Sequence, residues 1–279
     1  MAPADGSRHR VEHPAAHHLS DLSALLCAGH VPHRAQRIAG YKSSACRRFD
    51  PNRISADPAF AELAEDKGVS AAEAAIGNPP DELYARVADE AVREITQDFW
   101  RSDRAALMEN VGPNGESLEG PPGRCVNPGH SIEVAWFLLH EAQARDEADL
   151  RATALAILDG ALARGWDAEH GGLLSFVDIE GRPPAQVEWD MKYWWPHTEA
   201  LYATLLAHQL TGDSRYLAWF ETLHDWTWRH FPDPAYGEWY GYLHRDGTVA
   251  LDCKGSAFKG CFHVPRALWL CGNVLEEMV

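Results

Sequence analysis

The stretch that decides the fold is Val126–Ala142, VNPGHSIEVAWFLLHEA. A Pro-Gly turn comes first, then His130, then an apolar run at helical spacing. The arrangement returns in WWPHTEALYATLLAHQ (Trp194–Gln209) and in CFHVPRALWLCGNVLEE (Cys261–Glu277). His130, His197 and His263 each stand at the mouth of a predicted helix, 67 and 66 residues apart.

The intervening chain keeps the same period. GWDAEHGGLLSFVDIEGRPP (Gly165–Pro184) resembles FPDPAYGEWYGYLHRDGTVA (Phe231–Ala250), with Asp167, Gly171 and Gly181 recurring 66 residues on as Asp233, Gly237 and Gly247. A fainter copy, LMENVGPNGESLEG, places Gly115 another 66 back. Each copy reads as a helix end, an Asp/Gly turn, a short aromatic hairpin, a histidine and a second helix. Patterning predicts helices near 82–101, 131–145, 148–164, 198–211, 214–230 and 264–277. It predicts strand pairs near 172–177/185–190 and 238–243/248–253.

A repeat of this length holding two helices is an αα-hairpin, which buries its inner face only by stacking on its neighbours. The simplest closed stack is all-α: an (α/α)6 toroid whose inner helices start at one rim, with short β-hairpins there. The three histidines are then expected to converge. Six such units need about 400 residues. Residues 81–279 read as the barrel domain, whereas residues 1–80 carry no copy of the repeat and one helical candidate, residues 58–75. The early helices of the barrel are therefore expected to be missing or replaced. Charge marks the same boundary: residues 1–80 are balanced, and the whole net charge of −16 falls on residues 81–279.

That charge excludes a nucleic-acid backbone or an anionic membrane as partner. The chain has no run of about 20 apolar residues and no secretory signal, so a cytoplasmic location is expected. Six cysteines without CxxC spacing read as reduced thiols.

The helix mouths gather His130, Glu133, His197, Glu199, His263 and Arg266, a mixture of bases, acids and one fixed cation. Histidine moves protons near neutral pH, a carboxylate orients and tunes it, and Arg stabilises an oxyanion. Trp194 and Trp195 offer flat faces on which sugars stack. No H-E-x-x-H, P-loop, G-x-S-x-G or dinucleotide fingerprint is present, so no metal is expected. A two-carboxylate glycosidase stays open, with Glu133, Glu188 and Glu199 available.

Five blocks carry a family resemblance: NPGHSIEVAWFLL, GWDAEHGGLLSFVD, EWDMKYWWPHTEALYA, DPAYGEWYGYLHRDG and KGSAFKGCFHVPRALW. In this order and spacing they resemble the later part of the N-acylglucosamine 2-epimerase (renin-binding protein) family. The resemblance implies an (α/α)6 barrel, usually a homodimer, that interconverts N-acetylglucosamine and N-acetylmannosamine without a required cofactor. It implies ATP or another nucleotide as an activator. It also implies that His130 and His263 act as acid and base across C2, with Glu199 as an active-site carboxylate. Glu133, His197, Arg266, Trp194 and Trp195 are then expected around the sugar. Two alternatives stand beside this reading. One is a regulatory protein with a renin-like partner, or an inactive shortened barrel. The other is a related sugar isomerase or glycosidase.

Overall fold

The computed structural model describes residues 47–48 and 82–278. The helix expected over residues 58–75, and the question of a separate unit over 1–80, lie outside the described residues.

Among the described residues six α-helices follow one another: α1 (Glu82–Arg93), α2 (Pro128–Arg145), α3 (Ala148–Gly165), α4 (Trp194–Thr211), α5 (Ser214–His230) and α6 (His263–Glu277). Helices α2, α4 and α6 pack side by side as an inner layer, while α3 backs α2 and α5 backs α4. The sequence dictates this layering. From Pro196 to Ala207, α4 is buried without a break, which suits a helix with neighbours on every side. Helix α5 buries a single stripe, Tyr216, Phe220, Leu223 and Thr227, and turns its polar face to solvent. The main core lies between the layers, with Ile132, Leu139, Leu158, Leu162 and Leu205 sealed inside. Each such side chain contributes about 1.5–3 kcal/mol by its burial. No described helix is long and apolar enough to cross a membrane.

The period seen in the sequence is a period of structure. Asp167 N–H donates to Gly172 O, and Asp233 N–H donates to Glu238 O. Isolated bridges join Trp166 to Leu173 and Pro232 to Trp239. Gly171 and Gly237 close these turns at φ 71° and 72°, a left-handed conformation that disfavours any side chain. The first turn is pinned from below by Lys192. That ammonium is fully buried, 3.0 Å from Asp167 Oδ2, and Arg245 grips the same carboxylate at 2.8 Å. Burial favours a neutral Asp167, yet the hydrogen bonds from Arg245 and Lys192 outweigh it and hold the carboxyl well below its usual range.

The strands are short and mostly tie one unit to the next. They are β1 (Arg47–Arg48), β2 (Trp100–Arg101), β3 (Ala106–Leu107), β4 (Asn110–Val111), β5 (Cys125–Val126), β6 (Val177–Asp178), β7 (Lys192–Tyr193), β8 (Tyr242–Leu243) and β9 (Val249–Leu251). The hairpin expected at 238–243/248–253 forms as β8–β9. The one expected at 172–177/185–190 does not form as a ladder. Instead β6 pairs with β5, and β7 pairs with β8 of the following unit. Pro183 and Pro184, without N–H groups, stand at the head of the failed second strand. The helix expected over 82–101 ends at Arg93, continues as a π-helix over Glu94–Phe99, and gives way to β2 paired with β3.

Candidate functional site

The site is built at the N-terminal ends of the inner helices. Helix α2 begins with Asn127 as its cap, whose side-chain Oδ1 accepts from the N–H of His130 at 3.1 Å. Pro128 occupies the first turn, where its missing N–H costs nothing. His130 is thereby fixed on the third residue of the helix. On the far side, His263 is the first residue of α6.

Trp195, half-buried, comes from the first turn of α4. Its ring centroid is 5.0 Å from that of His130 and 5.7 Å from that of His263. Both imidazoles therefore pack against one indole. Gly129 makes this possible: a Cβ there would lie 2.6 Å from Trp195 Cη2 and 2.9 Å from Pro196 Cγ.

Each imidazole meets a buried carboxylate through Nδ1. His263 Nδ1 lies 2.8 Å from Glu199 Oε1, and His130 Nδ1 lies 3.0 Å from Glu109 Oε2. Glu199 also accepts from Trp136 Nε1 at 2.9 Å. Arg266 Nη2 donates to Glu133 Oε1 and to Glu199 Oε1, both at 2.7 Å. The guanidinium is packed between Phe262 and Trp136, with Cζ 4.3 and 5.2 Å from the two ring centroids.

The two carboxyls on Arg266 differ electrostatically. Burial, and then the charge of Glu199, push the Glu133 carboxyl up. Burial also raises Glu199, but the His263 hydrogen bond and the Arg266 charge outweigh it and bring that carboxyl down. Glu133 is thus the member of the pair that protonates first. Glu133, Glu199 and His263 each present one donor atom within 4.8 Å of the others, a spacing a metal ion could use. The Arg266 guanidinium is already the cation bound to both carboxylates.

Three expected site residues sit differently. His197 does not join the other two histidines: it is fully buried, its Nε2 accepts from Leu173 N–H at 2.9 Å, and its Nδ1 lies 2.6 Å from Tyr193 O. Both ring nitrogens serve the backbone, the ring stacks on Trp226 at 4.7 Å, and burial pushes its pKa down to about 3. It is the fourth residue of α4, whereas His130 is the third of α2 and His263 the first of α6. At about 100° of turn per residue, equal spacing in sequence did not give equal facing. Trp194 is 2% exposed, belongs to an aromatic cluster with Trp226, Phe231 and Trp239, and meets His263 at 6.2 Å, whereas Trp195 meets both His130 and His263. Glu133 shares a helix face with His130 but bonds Arg266 rather than the imidazole.

Glu109 and Trp136 were not singled out by the sequence reading. The signal for Glu109 was slight: one acid directly after the apolar run Ala106–Met108, inside the faintest copy of the repeat.

The chain matches the family model for N-acylglucosamine 2-epimerase (GlcNAc 2-epimerase) over residues 68–266. The N-acylglucosamine 2-epimerase of Bos taurus is 46% identical over 211 residues, covering 73% of this chain and 49% of that protein. Its counterpart from Mus musculus is 45% identical, with 73% and 49% covered. The chain spans about half the length of the curated relatives it matches. A crystal structure of D-mannose isomerase superposes with a TM-score of 0.58 at 24% identity, over 71% of this chain and 50% of that one. That likeness establishes the fold, an (α/α)6 barrel, of which the described helices form one side.

Proposed function

This chain belongs to the N-acylglucosamine 2-epimerase family, and on that premise we propose that it interconverts N-acetylglucosamine and N-acetylmannosamine by proton transfer at C2. The observation that carries the reading is the pair of imidazoles packed against Trp195, each with a carboxylate on Nδ1. A carboxylate on Nδ1 favours the tautomer whose other ring nitrogen, Nε2, is the basic one.

The opened sugar lies against the face of Trp195. Nε2 of one histidine removes the proton from C2, and the electron pair moves into the C1 carbonyl to give an enolate. The imidazolium opposite delivers its proton to the other face of C2. The enolate oxygen collapses back to a carbonyl, and the roles reverse with direction. His130 and His263 take these two roles. Arg266 makes both carboxylate bonds through Nη2, which leaves Nη1 and Nε to stabilise the enolate oxygen. Glu199 orients His263, and Glu133 holds Arg266 in place. A shift of one proton between faces changes no oxidation state, so the step needs no redox cofactor.

In the same proposal the chain acts in the cytoplasm as a homodimer, with ATP or another nucleotide as an activator that is not consumed. Family membership supports these points. A second reading, a protein-binding role, is favoured by the exposed apolar side chains Phe258 and Trp269, 78% and 63% accessible. Incubating the full chain with N-acetylmannosamine, with and without ATP, tests the first reading. Formation of N-acetylglucosamine supports it. Conversion of mannose to a ketose in its place points to an isomerase, and no turnover of either sugar leaves the protein-binding reading.

A further inference from the structure

Glu109 has no part in the chemistry outlined above, yet it is held more firmly than a surface acid would be. It is 3% exposed and sits between β3 and β4, following the buried apolar run Ala106–Met108. A carboxylate in such a place costs free energy unless it is hydrogen-bonded. Its Oε2 lies 3.0 Å from His130 Nδ1.

The backbone closes a circuit around this contact. Glu109 N–H donates to Cys125 O at 2.9 Å, and Met108 N–H donates to Phe99 O at 3.0 Å. Cys125 begins β5, which runs through Val126 to Asn127, and Asn127 Oδ1 accepts from the N–H of His130. The side-chain pair therefore spans two pieces of chain already clamped together at their backbones. On the other side, the Trp195 ring limits where the imidazole can turn.

We propose that Glu109 is the positioning residue for His130. It fixes the ring with the proton on Nδ1 and Nε2 toward C2, and it stabilises the imidazolium formed once Nε2 has taken a proton. The pairing repeats that of Glu199 on His263, so each of the two imidazoles packed against Trp195 has its own carboxylate. The other charged groups of the site are Glu199, Glu133 and Arg266, joined to one another and to His263. The catalytic part of this inference rests on the C2 proton-transfer reading, whereas the pairing itself does not.

The experiment uses the full chain with 15N-labelled histidine, and His130→Ala identifies the His130 signals. In wild type, the ring nitrogens are expected to report the Nδ1–H tautomer. Glu109→Gln keeps the side-chain shape and removes the charge, so the His130 midpoint is expected to fall by about 1 pH unit. Glu109→Asp, which keeps the charge on a shorter arm, is expected to lie between. In the C2 assay Glu109→Gln is expected to lower kcat about 100-fold with KM changed less than about threefold, and Glu109→Asp to restore part of kcat. A His130 midpoint that stays put in both variants overturns the proposal, whatever the activity. A shifted midpoint in a chain whose wild type turns over no sugar upholds the pairing and sinks the reaction instead. Should Glu109→Gln not fold, the Glu109→Asp titration decides alone, by the same shift.

Discussion

His263 Nδ1 lies 2.8 Å from Glu199 Oε1, joining α6 to α4 at the mouth of the barrel. Glu199 is 2% exposed, so this contact works in a poorly solvated setting, where a charge-assisted hydrogen bond is strong. Replacing Glu199 by Gln removes the charge that orients His263 and balances Arg266. Steady-state kinetics with N-acetylmannosamine are expected to show kcat about 100- to 1000-fold lower, with a smaller change in KM. A variant within threefold of wild type contradicts the role.

Gly129 sets the position of Trp195 by having no side chain. Gly129→Ala places a methyl 2.6 Å from the indole, so either the ring or the start of α2 must shift. Overpacking of this kind costs about 1–3 kcal/mol. Thermal unfolding is expected at a lower Tm than wild type, and KM is expected to rise more than kcat falls, because the wall moves and the imidazoles stay. An unchanged Tm and KM together count against the arrangement.

His197 gives the fold an acid limit. Burial pushes its pKa down to about 3, against 6.5 for the free side chain. Between those values the unfolded chain takes up a proton that the folded chain refuses, so stability falls as the pH drops below about 6.5. The full-strength slope is about 1.4 kcal/mol per pH unit. Denaturant unfolding at pH 7.5, 6.0 and 5.0 is expected to show that trend, and His197→Gln is expected to flatten it. Equal slopes in the two proteins rule His197 out as the cause.

Lys192 and Asp167 make a buried ion pair, with Arg245 on the same carboxylate. Removing the carboxylate strands a fully buried ammonium. Asp167→Ala is expected to cost about 3–5 kcal/mol in denaturant unfolding. The Asp167→Ala, Lys192→Met double variant is expected to regain much of that loss. A double variant no more stable than the single one contradicts this account of the pair.

The fold was legible because its repeat is long and its helices are strongly patterned. The starts of α3 and α5 fell where the pattern placed them, and the Asp167 and Asp233 turns share their hydrogen bonds as they share their residues. The inner helices α2 and α4 begin about a turn earlier than expected, because Pro128 and Pro196 fit a first helical turn. The site was less legible. That His130, His263, Glu199 and Arg266 come together follows from helix mouths meeting at one rim. That His197 turns away follows from its place one or more residues deeper in its helix, which no spacing between histidines reveals. The partner of His130 came from the link between β3 and β4, 21 positions upstream, where only tertiary packing could bring a carboxylate to the ring. Likewise β6 and β7 paired with neighbouring units, a choice settled between units rather than within 172–190.

The most direct measurement is proton exchange at C2. N-acetylmannosamine is incubated with the full chain in deuterium oxide, and both sugars are followed by NMR at C2. Two opposed imidazoles predict that N-acetylglucosamine forms with one deuterium at C2, while the first remaining substrate keeps its proton. His130→Ala and His263→Ala are each expected to abolish conversion, and only the variant that keeps the base for N-acetylmannosamine is expected to wash deuterium into that sugar. Product that keeps the original proton, or full exchange in both variants, contradicts the two-histidine account.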